Sequence, residues 1–164
     1  GYSAGGHLAG TVGTLWNSPL VRETLQIPSG EDRPDGMILG YPVITSGAYT
    51  HEDSIKFLLG EDRYQDEKER EKVSVEKLVN RDTPKAFLWH TFEDDLVPVE
   101  NTLKMADALR KEGVLFEMHI YPHGPHGLAI CDETTVDVKE NLNPYAAYVS
   151  SWVEHCIRWI REVL

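Results

Sequence analysis

Gly1-Tyr2-Ser3-Ala4-Gly5-Gly6-His7 opens the chain, and Leu8-Ala9-Gly10-Thr11-Val12 comes directly after. The first five residues fit G-x-S-x-G. Such a pentapeptide sets a serine on a strained turn between a strand and a helix, and its small residues let the two elements approach. The helix N-terminus then lies under an oxyanion forming at the serine, with the backbone N–H of Ala4 as one donor. Alone, the pentapeptide is equally compatible with a glycine-rich helix start that holds an incidental serine. The next residues favour the first reading. Leu8, Val12 and Leu15 recur at i, i+4 and i+7 and predict one apolar face on a helix over Ala4–Trp16. Gly10 and Gly13 weaken that helix but let another backbone come close. A chain that starts inside a dense glycine motif, without Met, reads as a piece of something longer, so the lack of a targeting segment says nothing about compartment.

Further along, residues 26–36 form a turn-rich loop, and Met37–Tyr41, closed by Pro42, suits a buried strand. Glu52–Leu59 suits a short helix ended by Gly60. Residues 61–77 are dominated by charge and predict a solvated helix or lid surface. Lys85–His90 is a second strand, entered through Thr83-Pro84. Pro98–Gly113 predicts a helix with a stripe at Val99, Leu103, Ala106 and Leu109. Val114–Tyr121 alternates as a third strand. Asn143-Pro144 caps a final helix reaching almost to Leu164, whose stripe is Tyr145, Tyr148, Trp152, Cys156 and Trp159/Ile160. Strands separated by helices imply crossovers and a parallel sheet, hence an α/β fold.

A serine hydroxyl is a poor nucleophile without a base, and the base needs an orienting carboxylate. The loop after the second strand reads Thr91-Phe92-Glu93-Asp94-Asp95-Leu96-Val97-Pro98. The loop after the third reads Pro122-His123-Gly124-Pro125-His126-Gly127-Leu128. An acid loop and a histidine loop thus come after the serine in order, each at the C-terminal end of a strand, where α/β sheets carry their sites. Either histidine of the second loop fits. His7 lies one turn from Ser3 and suits helix packing better than the site. His90, His119 and His123 with Glu93–Asp95 have no recognisable metal-ligand spacing. Tyr41 and Pro42 suit core packing better than a pocket wall.

These stretches resemble the α/β-hydrolase superfamily in its esterase and lipase branch, most closely small bacterial esterases of the acetyl-esterase and acetylxylan-esterase-like type. GYSAGGHLAG, GYPVI, TPKAFLWHTFEDDLVPVENTLKMADALRKEGV and EMHIYPHGPHGL carry the likeness. The resemblance implies an α/β-hydrolase fold, the C-terminal portion of a mainly parallel sheet with helices on both faces. Residues 1–164 would be a partial domain starting at the elbow, with a charged insertion or lid-like segment at about 45–80. In that family the acid stands three residues before the Val of D-x-x-V-P, which implies Asp94. The family histidine precedes Gly, and a G-x-H-G-L ending favours His126 over His123. The implied roles are Ser3 as nucleophile, His126 as base, Asp94 as its orienting acid and Ala4 N–H as half of the oxyanion hole. The implied substrate is a small-molecule carboxylic ester with a short acyl group such as acetyl, on a carbohydrate alcohol, with no cofactor and no metal. The family's second oxyanion donor comes from an earlier glycine-rich loop, before Gly1. The strand at 37–41 is therefore expected to have an open edge that pairs with a second copy or with an N-terminal portion, and the chain alone is expected to have little activity. A prolyl-oligopeptidase-like serine peptidase, which shares the Ser, Asp, His order, and an inactive fragment are the alternatives.

Composition narrows the rest. The 164 residues are 41% hydrophobic and 26% charged, values of a globular chain. Lys plus Arg total 16 against 27 Asp plus Glu, a net charge of −11, which disfavours nucleic acid as a partner. No apolar run is long enough for a membrane span. The two cysteines, Cys131 and Cys156, fit neither C-x-x-C nor a zinc site and read as buried thiols.

Overall fold

The computed structural model describes residues 1–26, 28, 30–132, 135 and 145–164. Three parallel strands, β1 (Gly36–Gly40), β2 (Lys85–Thr91) and β3 (Phe116–Tyr121), form one sheet in the order β1-β2-β3. Gly36 pairs with Lys85, and Ala86 with Phe116. The described helices are α1 (Ser3–Leu15), α2 (Pro19–Leu25), α3 (Glu52–Leu59), α4 (Glu61–Tyr64), α5 (Glu67–Lys72), α6 (Val75–Leu78), α7 (Glu100–Lys111), α8 (Ala146–Val149) and α9 (Ser151–Glu162). Residues 45–80 thus carry α3–α6, the crossover from β1 to β2, and α7 crosses from β2 to β3.

β2 lies in the middle and is covered on both faces, which is why it reads as an unbroken apolar run. Its alternation divides the core. Phe87 and Trp89 meet Trp152, Cys156 and Trp159 of α9. Ala86 and Leu88 meet Met37 and Leu39 of β1 with Met105 and Leu109 of α7. Fully burying each large side chain contributes about 1.5–3 kcal/mol.

The expected apolar face of α1 is not the buried one. Leu8 is 66% exposed and Val12 51%, while Gly6, Gly10, Gly13 and Thr14 are buried. The glycines recur with the same helical spacing and let the helix backbone lie against its neighbours. A Cβ at Gly6 would sit 2.6 Å from Pro42 Cβ, and one at Gly13 2.1 Å from Met37 Sδ. The close approach expected at Gly10 and Gly13 is thus present, but the hydrophobic periodicity pointed to the wrong face, because the glycines of this stripe have no side chain.

The α7 stripe is displaced in part. Leu103 is exposed, while Asn101, Thr102 and Met105 join Ala106 and Leu109 inside. The expected final helix is two helices, α8 and α9: Trp152, Cys156 and Trp159 on α9 are buried as expected, but Ile160 on α9, Tyr148 on α8 and Tyr145 just before α8 are exposed. The cap at Asn143-Pro144 lies outside the described residues. The charged stretch 61–77 breaks into short helices and is not solvated throughout: Ser74 and Val75 are buried, and a Cβ at Gly10 would meet Val75. Helix α2 was not anticipated, although Ser18 followed by Pro19 at its first position is a start signal.

On the side of β1 away from β2, Gly1 N donates to Ile38 O at 2.7 Å, and Gly40 N donates to Gly1 O at 3.0 Å. Tyr2 thereby bridges Gly40 in parallel sense. Among the described helices, none is long and apolar enough to cross a membrane.

Candidate active site

Ser3 sits where Tyr2, in extended conformation, turns into α1. Its φ is 53°, a left-handed value that costs a non-glycine residue energy and holds only where the surroundings enforce it. They do so from both sides. Val43 N donates to Ser3 O at 3.0 Å, and Gly6 N donates to Tyr2 O at 3.0 Å. Gly1 must lack a side chain, because a Cβ there would stand 2.2 Å from Gly5 O. A Cβ at Gly5, by contrast, meets nothing within 4 Å. Ala4 is exposed, in the first helical turn, where backbone N–H groups have no partner within the helix.

Asp94 lies just after β2. Its side chain is buried, and each oxygen accepts two bonds. Oδ1 accepts from Val97 N at 2.8 Å and Leu96 N at 3.1 Å. Oδ2 accepts from His126 Nδ1 at 2.6 Å and His90 Nε2 at 3.1 Å. The D-x-x-V spacing is what folds the Val97 amide back onto the carboxylate. Burial by itself pushes the carboxyl up. The bonds from His126, His90 and Val97 outweigh it and hold Asp94 well below the usual carboxylate range.

His126 comes from the loop after β3, through Gly124 and Gly127 at φ 135° and 90°. Its Nδ1 faces Asp94, and its Nε2 is 2.9 Å from Ser3 Oγ. An ionised carboxylate only accepts, so Nδ1 carries the proton and Nε2 is free to accept from the serine hydroxyl. The ring packs edge-on against Tyr41 at 4.8 Å between centroids. Tyr41 Oη accepts from Ala129 N at 3.0 Å, and Trp152 Nε1 donates to Ala129 O at 3.0 Å. Ala129, at φ 48°, is thus pinned from two elements, and the histidine loop with it.

Ser3, Asp94 and His126 are therefore brought together, while the neighbouring candidates lie elsewhere. His123 bonds Glu93 at 2.8 Å and stacks on Tyr145, joining the two loops outside the centre. Asp95 is exposed. His7 Nε2 reaches Val73 O at 2.8 Å, tying α1 to the end of α5. His119 bonds Glu117 and stacks on His155. Among the described residues no group of three or more His, Cys, Asp and Glu could hold a metal ion. Cys131 and Cys156 are free and buried, and burial pushes the Cys131 thiol up to about 11.

Sequence reasoning favoured core packing for Tyr41 over a pocket wall, and Tyr41 is indeed buried. It overlooked Thr102, the bond of Tyr41 to Ala129 and the contact of His90 with Asp94. The one available signal for His90 was its place at a strand end four residues before Asp94. An apolar pocket of about 370 Å³ opens beside Ala4, lined by His7, Leu8, Ile55, Leu58 and Val73 among others.

The chain is similar to known proteins in sequence and in fold. Residues 33–155 match the prolyl oligopeptidase family. The chain is 40% identical over 133 residues to endo-1,4-beta-xylanase B of Butyrivibrio fibrisolvens, covering 81% of this chain and 20% of that protein. It is 35% identical over 130 residues to an acetylxylan esterase of Xylanibacter ruminicola, covering 77% of this chain and 25% of that one. An acetyl ester-xyloside bifunctional hydrolase from Caldicellulosiruptor lactoaceticus superposes with a TM-score of 0.78 at 39% identity, over 99% of this chain and 55% of that chain. A carboxylesterase from Lactobacillus plantarum superposes with a TM-score of 0.78 at 28% identity, over 99% and 56%. The chain thus spans a quarter or less of these curated relatives and just over half of these solved structures.

Proposed function

The chain belongs to the prolyl oligopeptidase family, and from that premise we propose that it carries the nucleophile, base and acid of a serine carboxylic-ester hydrolase acting on acetylated carbohydrate. The observation that carries the reading is the unbroken chain of bonds from Asp94 Oδ2 through His126 to Ser3 Oγ, at 2.6 and 2.9 Å.

Ser3 Oγ attacks the ester carbonyl as His126 Nε2 takes its proton. Asp94 stabilises the imidazolium and keeps the ring in the tautomer that can accept. The tetrahedral oxyanion receives Ala4 N–H from the start of α1, where the helix dipole favours negative charge. His126 then gives its proton to the leaving alcohol. A water activated by the same ring releases the acid from the acyl-Ser3 intermediate.

The acyl and alcohol preferences rest on the relatives. One is an acetylxylan esterase and another an acetyl ester-xyloside hydrolase. A peptidase reading comes from the family name alone. Residues 45–80 act as a lid-like wall in this proposal, since α3 and the end of α5 line the apolar pocket next to Ala4.

The outer edge of β1 adds a partner. Parallel-ladder alternation turns the backbone of Gly36, Ile38 and Gly40 away from β2. Gly1 engages only Ile38 O and Gly40 N. We infer that a further strand, from an N-terminal portion or a second copy, takes the remaining groups and brings the second oxyanion donor.

The test is hydrolysis of p-nitrophenyl acetate and acetylated xylo-oligosaccharides against aminoacyl-proline substrates. Ester turnover abolished by Ser3→Ala is expected. Retained turnover in Ser3→Ala, or a preference for the peptide, would reject the proposal.

A further inference from the structure

We propose that His90 is a positioning residue for this reaction: a buried imidazole, fixed with its proton on Nε2, that holds Asp94 in the geometry and charge distribution His126 requires. The inference rests on the reading of Ser3, His126 and Asp94 as nucleophile, base and acid.

His90 lies near the end of β2 and is fully buried, as is Thr102 on α7. Its Nε2 faces two acceptors, Val97 O at 2.9 Å and Asp94 Oδ2 at 3.1 Å. Two acceptors require a donor between them, so Nε2 carries the proton. In the neutral ring Nδ1 is then bare and accepts from Thr102 Oγ1 at 2.7 Å. Every polar atom of the ring is satisfied, and its tautomer is set by a strand, a loop and a helix together. Packing alone would be served by an apolar side chain, without the desolvation cost of an imidazole.

The consequence falls on Asp94 Oδ2, which His90 and His126 share. A carboxylate oxygen already holding one N–H attracts a second proton less strongly. His90 therefore limits how tightly Asp94 binds protonated His126, and it keeps Oδ2 aimed at Nδ1. The other groups facing this centre do not compete for the role. Tyr41, from the end of β1, is pushed up to about 12, chiefly by burial, and stays neutral. Thr102 is what α7 contributes, and it cannot ionise. Glu93 and Asp95 on the acid loop are exposed.

Two measurements test this. Ring ¹⁵N spectra of the histidines in the 164-residue chain are expected to show His90 with a protonated Nε2 and a bare Nδ1; the opposite tautomer overturns the proposal. Ester hydrolysis is then measured against pH in His90→Phe, which loses the donor, and His90→Gln, whose amide N–H can replace it. His90→Phe should lower kcat by about tenfold or more, the kinetic size of one bond to a charged group, with KM little changed. It should also move the acid limb of the profile to higher pH, and His90→Gln should restore most of both. Equal losses in Phe and Gln that track thermal stability, with the acid limb unmoved, would mean a merely structural role. Should His90→Phe fail to fold, Thr102→Val against Thr102→Ser gives the same readout, since valine leaves Nδ1 without its donor. Wild-type turnover in Ser3→Ala overturns the catalytic reading, and the proposal with it. A dead Ser3→Ala beside an unaltered His90→Phe overturns the proposal alone.

Discussion

Asp94→Asn keeps the shape of the acid and removes its charge, so its effects can be worked out bond by bond. The carboxylate accepts from Leu96 N, Val97 N, His126 Nδ1 and His90 Nε2. An amide presents one acceptor and one donor. With its oxygen toward Leu96 and Val97, the acid loop keeps its turn and the NH₂ faces His126 and His90. His126 can relieve its share by moving its proton from Nδ1 to Nε2, but Nε2 then can no longer take the proton of Ser3. A base held in the wrong tautomer costs about 10⁴-fold in kcat. Losing two charge-assisted bonds, with His90 left against a donor, should also cost about 2–4 kcal/mol of stability at neutral pH. Linkage sets the pH sign. Asp94 is held below its ordinary value of 3.8 in the folded chain. Its stabilisation is therefore full above about pH 4 and is lost as pH falls below that toward the folded value. Urea unfolding of both proteins at pH 7 and near pH 3 checks this, alongside p-nitrophenyl acetate turnover. The gap in stability should narrow on the acid side. Equal stability at pH 7, or turnover within about tenfold of wild type, would refute the reasoning.

Other substitutions separate neighbouring roles. His126→Ala should abolish ester hydrolysis, whereas His123→Ala should retain most of it, because His123 pairs with exposed Glu93 outside the centre; kinetics of the two variants decide. Tyr41→Phe keeps the ring beside His126 but strips the acceptor from Ala129 N, and should cost about 1 kcal/mol in thermal unfolding with a lower kcat. Gly6→Ala drives a Cβ to 2.6 Å from Pro42 Cβ, where a rigid ring cannot yield, and should destabilise by about 1–3 kcal/mol. Gly5→Ala enters open space within a helix and should leave the melting temperature of this chain unchanged or raise it.

The sheet was legible because each strand is a short apolar run closed by a turn signal, and because the acid and histidine loops come after β2 and β3 in order. Asp94 was singled out from its neighbours only by the resemblance to the family's D-x-x-V-P pattern; the fold shows what that spacing does, since the carboxylate caps its own loop through Leu96 N and Val97 N. Two things were not legible. One is which face of α1 is buried: Gly10 and Gly13 could be read as places of close backbone approach, but the periodic Leu8 and Val12 marked the opposite face and lie outward, while the glycines and Thr14 are inside. His90 was legible only as a strand-end histidine. Its partners, Thr102 and Val97, come from a helix and a loop whose approach depends on the packed fold, so no local spacing encodes them.

The same packing explains how Ser3, His126 and Asp94, from separate parts of the chain, meet within hydrogen-bond distance. Trp89 of β2 stacks on Trp152 of α9 at 5.1 Å and meets Tyr41 edge-on at 5.0 Å. Tyr41 in turn stacks on Tyr2, next to Ser3, at 5.5 Å and carries the His126 ring. Trp152 and Tyr41 then grip opposite ends of the Ala129 backbone. One aromatic layer thus spans the serine turn, the end of β1, the central strand and the histidine loop. Gly40 is what admits it, since a Cβ there would stand 2.6 Å from both Trp89 Nε1 and Tyr2 Cδ1. Positioning in this site is therefore a property of the core. A substitution that loosens the layer, such as Trp152→Leu, should lower kcat more than KM although it touches none of the reacting atoms. Separate measurement of the two parameters tests that, and a rise confined to KM would show that the layer shapes binding instead.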